Sequence, residues 1–199
     1  MTLSREACEA LDRADPLADR RGLFDLPQGV IYLDGNSLGA LPHSVGKRLA
    51  TTLTQEWGRD LITSWNKADW IGLPARVAAK IAPLIGAEAH EVMAADSTSV
   101  NIFKLAAGAL GLRPGRHVIL TEPGNFPTDL YVLEGLKSLR PDLEIRTVPR
   151  QDLAGALGPD VALLLLTHAH YKTGQLHDMA ALSTAAHEAG ALCLWDLSH

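Results

Sequence analysis

Hydrophobic and polar positions change their spacing about halfway along the chain. In the first part they follow helical periods. Residues 4–13 read as a short helix capped by Ser4, and an irregular stretch follows as far as the turn Asp34-Gly35-Asn36-Ser37-Leu38-Gly39. Val45, Leu49, Leu53 and Trp57 recur every fourth residue, which predicts one apolar stripe on a helix beginning near Pro42. Val77, Ile81, Leu84 and Ile85 mark another helix, with Gly86 placed to end it. From about residue 90, short apolar runs alternate with helix-period segments. Val92–Ala94, Val118–Leu120, Leu143–Val148, Val161–Leu166 and Ala191–Trp195 read as strands; Ser99–Leu110, Thr128–Leu139, Gln151–Leu157 and Met179–Ala189 read as the helices between them. Such alternation predicts βαβ units and a parallel sheet. Val161–Leu166 has no polar alternation, as a strand covered on both faces requires. The expected fold is a doubly wound α/β domain over residues 61–199, preceded by a helical segment over residues 1–60.

Composition narrows the function classes. With 199 residues, 47% hydrophobic and 21% charged, the chain is close to the globular average, which excludes collagen-like, disordered and disulfide-scaffold proteins. Its longest aliphatic run is far below the ~20 residues of a membrane span. Residues 1–19 mix acids and bases with no apolar core, so nothing there reads as a secretory signal. The 18 basic residues are scattered and the net charge is −5, which leaves no footprint for nucleic acid. Cys8 and Cys193 are far apart, and Cys193 reads as a buried thiol, so a reducing cytoplasm is the expected compartment.

Ligands of such sheets sit at the carboxyl ends of the strands, and the residues found there are informative. Asp96-Ser97-Thr98-Ser99 follows the first predicted strand, and Thr121-Glu122-Pro123-Gly124-Asn125-Phe126-Pro127-Thr128-Asp129 the second. Thr167-His168-Ala169-His170-Tyr171 and Asp196-Leu197-Ser198-His199 follow the last two. Each group has a plainer reading. Ser97, Thr98 or Ser99 can serve only as a helix cap, although free N–H groups and hydroxyls at a helix start also cradle phosphate. Asp129 can simply complement a helix dipole. His168 and His170 lack a third ligand at zinc-like spacing. Asp196 and His199 lack the Gly-x-Ser-x-Gly elbow that would complete a hydrolase triad, and Gly-rich nucleotide loops are absent. A phosphate cradle, an aromatic and a carboxylate at a deep strand end together match pyridoxal 5'-phosphate. Its phosphate needs donors, its ring a stacking partner, and its ring nitrogen a carboxylate that keeps the proton on.

Four segments carry a more specific signal. Tyr32-Leu33-Asp34-Gly35-Asn36-Ser37-Leu38-Gly39, Asn125-Phe126-Pro127-Thr128-Asp129, Tyr171-Lys172-Thr173-Gly174-Gln175 and Trp195-Asp196-Leu197-Ser198-His199 closely resemble the kynureninases. Those enzymes belong to the fold-type I, aminotransferase-like class of pyridoxal-phosphate proteins. The resemblance covers essentially the whole chain. It implies that Thr98 and Ser99 hold the cofactor phosphate and that Phe126 stacks on the ring within a cofactor-binding stretch of Phe126, Pro127, Thr128 and Asp129. It further implies that Asp129 and Asp196 stand near the ring nitrogen, Asp196 being the principal partner, and that Thr167 and His199 complete the cofactor pocket. Ser37 is implied to lie near the substrate. Trp65 stands where animal members have histidine, and is implied to face the substrate's aromatic end.

The implied reaction is hydrolysis of L-kynurenine, or 3-hydroxykynurenine, to anthranilate or 3-hydroxyanthranilate and L-alanine, in tryptophan catabolism. A cytoplasmic homodimer is implied, with no metal, nucleic acid or membrane partner. The family carries its Schiff-base lysine in a Tyr-Lys pair downstream of the Asp-Leu-Ser-His segment. The six lysines here (Lys47, Lys67, Lys80, Lys104, Lys137 and Lys172) do not match that position, so the chain is expected to correspond to an N-terminal portion. Two other readings stay open: a different fold-type I enzyme, such as a cysteine desulfurase or class V aminotransferase, and a non-catalytic binding module.

Overall fold

A computed structural model describes residues 4–199. They form two compact units, divided between residues 94 and 95, close to the change of hydrophobic spacing near residue 90 and not at the expected division of 60/61.

In the first unit, helix α1 (Arg5–Ala14) begins at Ser4, whose hydroxyl accepts the Ala7 N–H at 3.2 Å. Strands β1 (Phe24–Asp25) and β2 (Leu41–Pro42) pair antiparallel over two residues each. Helix α2 (His43–Thr51) continues as a π-helical turn, residues 52–57. Thr51, Thr52 and Thr54 each turn their hydroxyl onto the carbonyl four residues back, a bonding that bends and loosens the helical ladder. The expected stripe exists but is not a core: Leu49, Leu53 and Trp57 are exposed. A short α3 (Ser64–Lys67) and the longer α4 (Leu73–Ile85) follow. Gly86 ends α4 at φ 69°, a left-handed cap that a Cβ would strain. Among the described residues of this unit, burial is confined to Ser64, Ala78 and Ala82.

Val92–Ala94 is not a strand. Its backbone is irregular, no strand pairs with it, and Met93 is 84% exposed. An apolar triplet has no ladder to join without a neighbour.

The second unit is built on a four-stranded parallel sheet of β3 (Val118–Thr121), β4 (Glu144–Thr147), β5 (Val161–Thr167) and β6 (Leu192–Asp196), in the order β4-β3-β5-β6. Its helices are α5 (Thr98–Leu112), α6 (Pro127–Leu136) and α7 (Met179–Glu188). One sheet face packs Ile119, Leu163 and Leu165 against Ile102, Ala106 and Leu110 of α5 and Leu133 and Leu136 of α6. The opposite face packs Val118, Leu120, Leu164 and Leu166 against Ala186 of α7 and Leu153. Helices on both faces make this the doubly wound α/β architecture expected, and every residue of β5 is buried. The segment expected as a helix over Gln151–Leu157 is instead two 3-10 turns, Arg150–Asp152 and Ala154–Ala156. Gly155 interrupts the run; Leu153 is its one fully buried residue, with Ala156 and Leu157 packed partly buried against the same core.

The strand order locates the ligand crevice. The chain leaves β3 for α6 on one face and leaves β5 for α7 on the other, although β3 and β5 are neighbours. Their carboxyl ends therefore diverge and open a cleft between them, the topological switch point where ligands of α/β sheets bind.

Candidate functional site

At that switch point three strand ends deliver buried polar groups. Asp129 lies in the first turn of α6, which Pro127 starts by fixing φ where no N–H is needed. Thr167 closes β5 and Asp196 closes β6; all three are buried. The ionisable atoms of Asp129, Asp196 and His199 lie within 4.8 Å of one another. Asp196 is firmly held: its Oδ1 accepts the Ser198 N–H at 2.8 Å, and its Oδ2 bonds His199 Nδ1 at 2.5 Å. Asp129 accepts from the Asn125 amide at 2.9 Å and from the Thr167 hydroxyl at 3.4 Å, both on Oδ2. Its Oδ1 is buried with no hydrogen-bond partner. Burial, reinforced by the Asp196 charge beside it, pushes the Asp129 carboxyl up to about 6. One member of the pair thus takes up a proton well above the ordinary carboxylate range.

Phe126 forms a wall of the same pocket. The His199 imidazole stacks on it at 3.6 Å between centroids and 8° between planes, and Tyr171 meets it edge-on at 5.1 Å. The Phe126 face thus carries a flat heteroaromatic ring, the His199 imidazole, directly beside the carboxylate pair. The Phe126 N–H reaches Thr167 Oγ1 at 3.4 Å, so the pocket wall and the β5 end are tied together. Gly124 precedes this segment where a Cβ would lie 2.9 Å from His170 Nε2, so a larger residue there would push that imidazole aside.

Thr98 and Ser99 open α5 in the same unit. The cap itself is Ser97, whose hydroxyl accepts the Val100 N–H at 3.5 Å, so Thr98 is not consumed in capping. Thr98 Oγ1 donates to Ser198 Oγ at 3.2 Å, which links the start of α5 to the segment following Asp196. Pro127 and Thr128 are the first residues of α6, and Thr128 is exposed. Ser37 and Trp65 belong to the first unit. Ser37 Oγ donates to Asp34 Oδ1 at 2.8 Å within its turn, and Trp65 is half exposed, edge-on to Trp70 at 6.4 Å. Of the six lysines, Lys67 pairs with Asp60, Lys104 with Asp96 and Lys137 with Glu134, while Lys172 Nζ lies 5.3 Å from the Tyr171 ring centre.

Sequence reasoning did not single out two buried features. Asn125 bridges α6 and β5; it heads one of the kynureninase-like segments, but nothing in the sequence assigned it a role. On the other side of the cleft, Glu122 Oε1 bonds His177 Nε2 at 2.8 Å, both side chains being almost wholly buried. That pair ties the end of β3 to the start of α7.

No family model matches the chain. Individual relatives do. The kynureninase of Deinococcus radiodurans is 54% identical over 196 residues, which is 96% of this chain and 48% of that protein. The kynureninases of Pseudomonas fluorescens and Burkholderia mallei are each 48% identical over 98% of this chain and 49% of their own length. Among solved structures, a NifS-like protein superposes with a TM-score of 0.65 over 83% of this chain and 48% of its own, at 16% identity, a likeness of fold alone. Among the described residues no helix is long and apolar enough to cross a membrane. The chain is similar in sequence to kynureninases over 96–98% of its length and similar in fold to the NifS-like protein over 83% of it, and it spans about half the length of the curated relatives it matches.

Proposed function

We propose that these residues form the cofactor-binding half of a pyridoxal-phosphate-dependent hydrolase that converts L-kynurenine to anthranilate and L-alanine. The observation that carries the reading is the buried Asp129–Asp196 pair lying against the stacking face of Phe126 at the switch point. An orphaned buried carboxylate oxygen beside an aromatic face suits a flat ring with a protonated nitrogen at its edge.

When bound, pyridoxal phosphate supplies an electron sink for the carbanion that forms at the substrate Cα. The residues of this chain maintain the sink. Asp196, fixed by the Ser198 N–H on Oδ1, holds the proton on the ring nitrogen. Asp129 adds a second acceptor, and its ionisation is favoured once a cationic ring nitrogen stands beside it. Phe126 covers one ring face and excludes water from it, the His199 imidazole that stacks on Phe126 giving up that place to the ring. Thr98, Ser99 and the first N–H groups of α5 take the phosphate, since a helix start concentrates free donors and positive dipole. Ser37 and Trp65 are proposed to act at the substrate.

The test is equilibrium binding of pyridoxal phosphate to the protein at its full encoded length, for wild type and Asp196→Asn. We expect saturable one-to-one binding in both and kynurenine hydrolysis only in the wild type. Absence of saturable binding in the wild type would refute the reading.

A further inference from the structure

Asn125 stands between the two elements that supply the pocket's polar groups. Its side chain is 3% exposed. Its Oδ1 accepts the backbone N–H of Thr167 at 2.6 Å, and its Nδ2 donates to Asp129 Oδ2 at 2.9 Å. The orientation of the amide is fixed by chemistry: a backbone N–H can only donate, so oxygen must face β5, and the NH2 group must then face the carboxylate. This amide is a rigid strut from the end of β5 to the first turn of α6, across the cleft that the strand order opens.

We propose, on the functional reading above, that Asn125 is a positioning residue: by gripping Asp129 Oδ2 it sets the rotation of that carboxylate and leaves Oδ1 as the acceptor offered to the ring nitrogen. Three observations support it. Both polar ends of Asn125 are used and both partners are buried. The second grip on Asp129, from the Thr167 hydroxyl, falls on the same oxygen, Oδ2. The other oxygen is buried and unpartnered, an arrangement that costs stability unless a ligand uses it. The charged groups facing Asp129 are Asp196 and His199 at the end of β6. Asn125 is the neutral donor that favours the ionised form against the Asp196 charge.

A group that acts through another loses its effect when that other group is gone. The experiment is a double-mutant cycle of Asn125→Ala and Asp129→Asn in the protein at its full encoded length, reading the dissociation constant for pyridoxal phosphate across pH. In the wild-type background we expect Asn125→Ala to weaken binding roughly tenfold, the scale of a lost charge-assisted hydrogen bond, and to move the acid limb of the binding profile to higher pH. In the Asp129→Asn background the same substitution should change binding by less than about twofold. Equal losses in both backgrounds, or no loss in either, would overturn the proposal. Asn125→Asp keeps the acceptor for Thr167 and the side-chain shape while losing the donor. It serves where the alanine variant does not fold, and wild-type binding in it would count against the strut. Asp129 can also be titrated directly by carboxyl carbon NMR in cofactor-free protein. If the wild type binds no pyridoxal phosphate, the functional reading fails, and this titration alone decides whether Asn125 grips Asp129: a midpoint raised by Asn125→Ala supports the grip, and an unchanged one refutes it.

Discussion

The carboxylate pair makes a prediction about stability that needs no cofactor. Burial and Asp196 raise the Asp129 carboxyl from 3.8 to about 6. A carboxyl whose folded value is raised is stabilising when protonated. Its favourable contribution is fully present below the unfolded value and is lost as pH rises through the folded one. At 1.36 kcal/mol per unit, the ionised form should cost the folded state about 3 kcal/mol at pH 7.5 and about 1 kcal/mol at pH 4.5. Asp129→Asn removes that cost while keeping the shape. The amide oxygen can accept from Asn125 and Thr167 as Oδ2 does, and the amide nitrogen can donate toward Asp196. Cofactor-free Asp129→Asn at full encoded length should therefore be more stable than wild type by about 2–3 kcal/mol at pH 7.5, with the advantage shrinking to about 1 kcal/mol or less at pH 4.5. Urea denaturation followed by tryptophan fluorescence at the two pH values measures it. A variant no more stable than wild type at pH 7.5, or an advantage independent of pH, would refute the argument that the pair stores electrostatic cost for a cationic ligand.

Three other substitutions test separate parts of the account. Asp196→Asn should retain cofactor binding but lose most kynurenine turnover, because an amide cannot hold the ring proton; near-normal turnover would count decisively against its assignment. Thr98→Ala should weaken cofactor affinity by about 1.5–3 kcal/mol, a charge-assisted hydrogen bond, with activity restored at saturating cofactor. Normal affinity by equilibrium dialysis would remove Thr98 from the phosphate cradle. Leu164→Ala, in the centre of a strand buried on both faces, should destabilise the fold by about 2–5 kcal/mol in the same urea assay.

How much of this could be read from the chain depends on the range of the interactions involved. The run Val161–Leu166 announced a strand buried on both faces, because uniform apolarity over six positions has few other uses. Ser4 and Gly86 marked helix ends correctly, since capping is decided within four residues. Val92–Ala94 failed because strand formation requires a partner, which a triplet cannot specify. The segment over 151–157 failed because its helical spacing was too short to outlast Gly155. The stripe from Val45 to Trp57 is helical as its period predicts, yet Leu49, Leu53 and Trp57 are exposed; spacing shows which residues share a side, not what covers it. At the site, the order of the elements brought Phe126, Asp129, Thr167, Asp196 and His199 to one pocket, as strand-end reasoning expects. Asn125 escaped because its meaning lies in a backbone N–H that is 42 residues away in sequence.

The most direct test of the central claim is product release by the protein at its full encoded length, purified and supplied with pyridoxal phosphate and L-kynurenine. The account predicts equimolar anthranilate, read by fluorescence, and L-alanine, read by amino-acid analysis, with neither formed when cofactor is withheld. Intact kynurenine in a cofactor-saturated preparation that instead, given L-cysteine and a thiol reductant, forms L-alanine and sulfide would contradict it, and would favour the cysteine desulfurase reading.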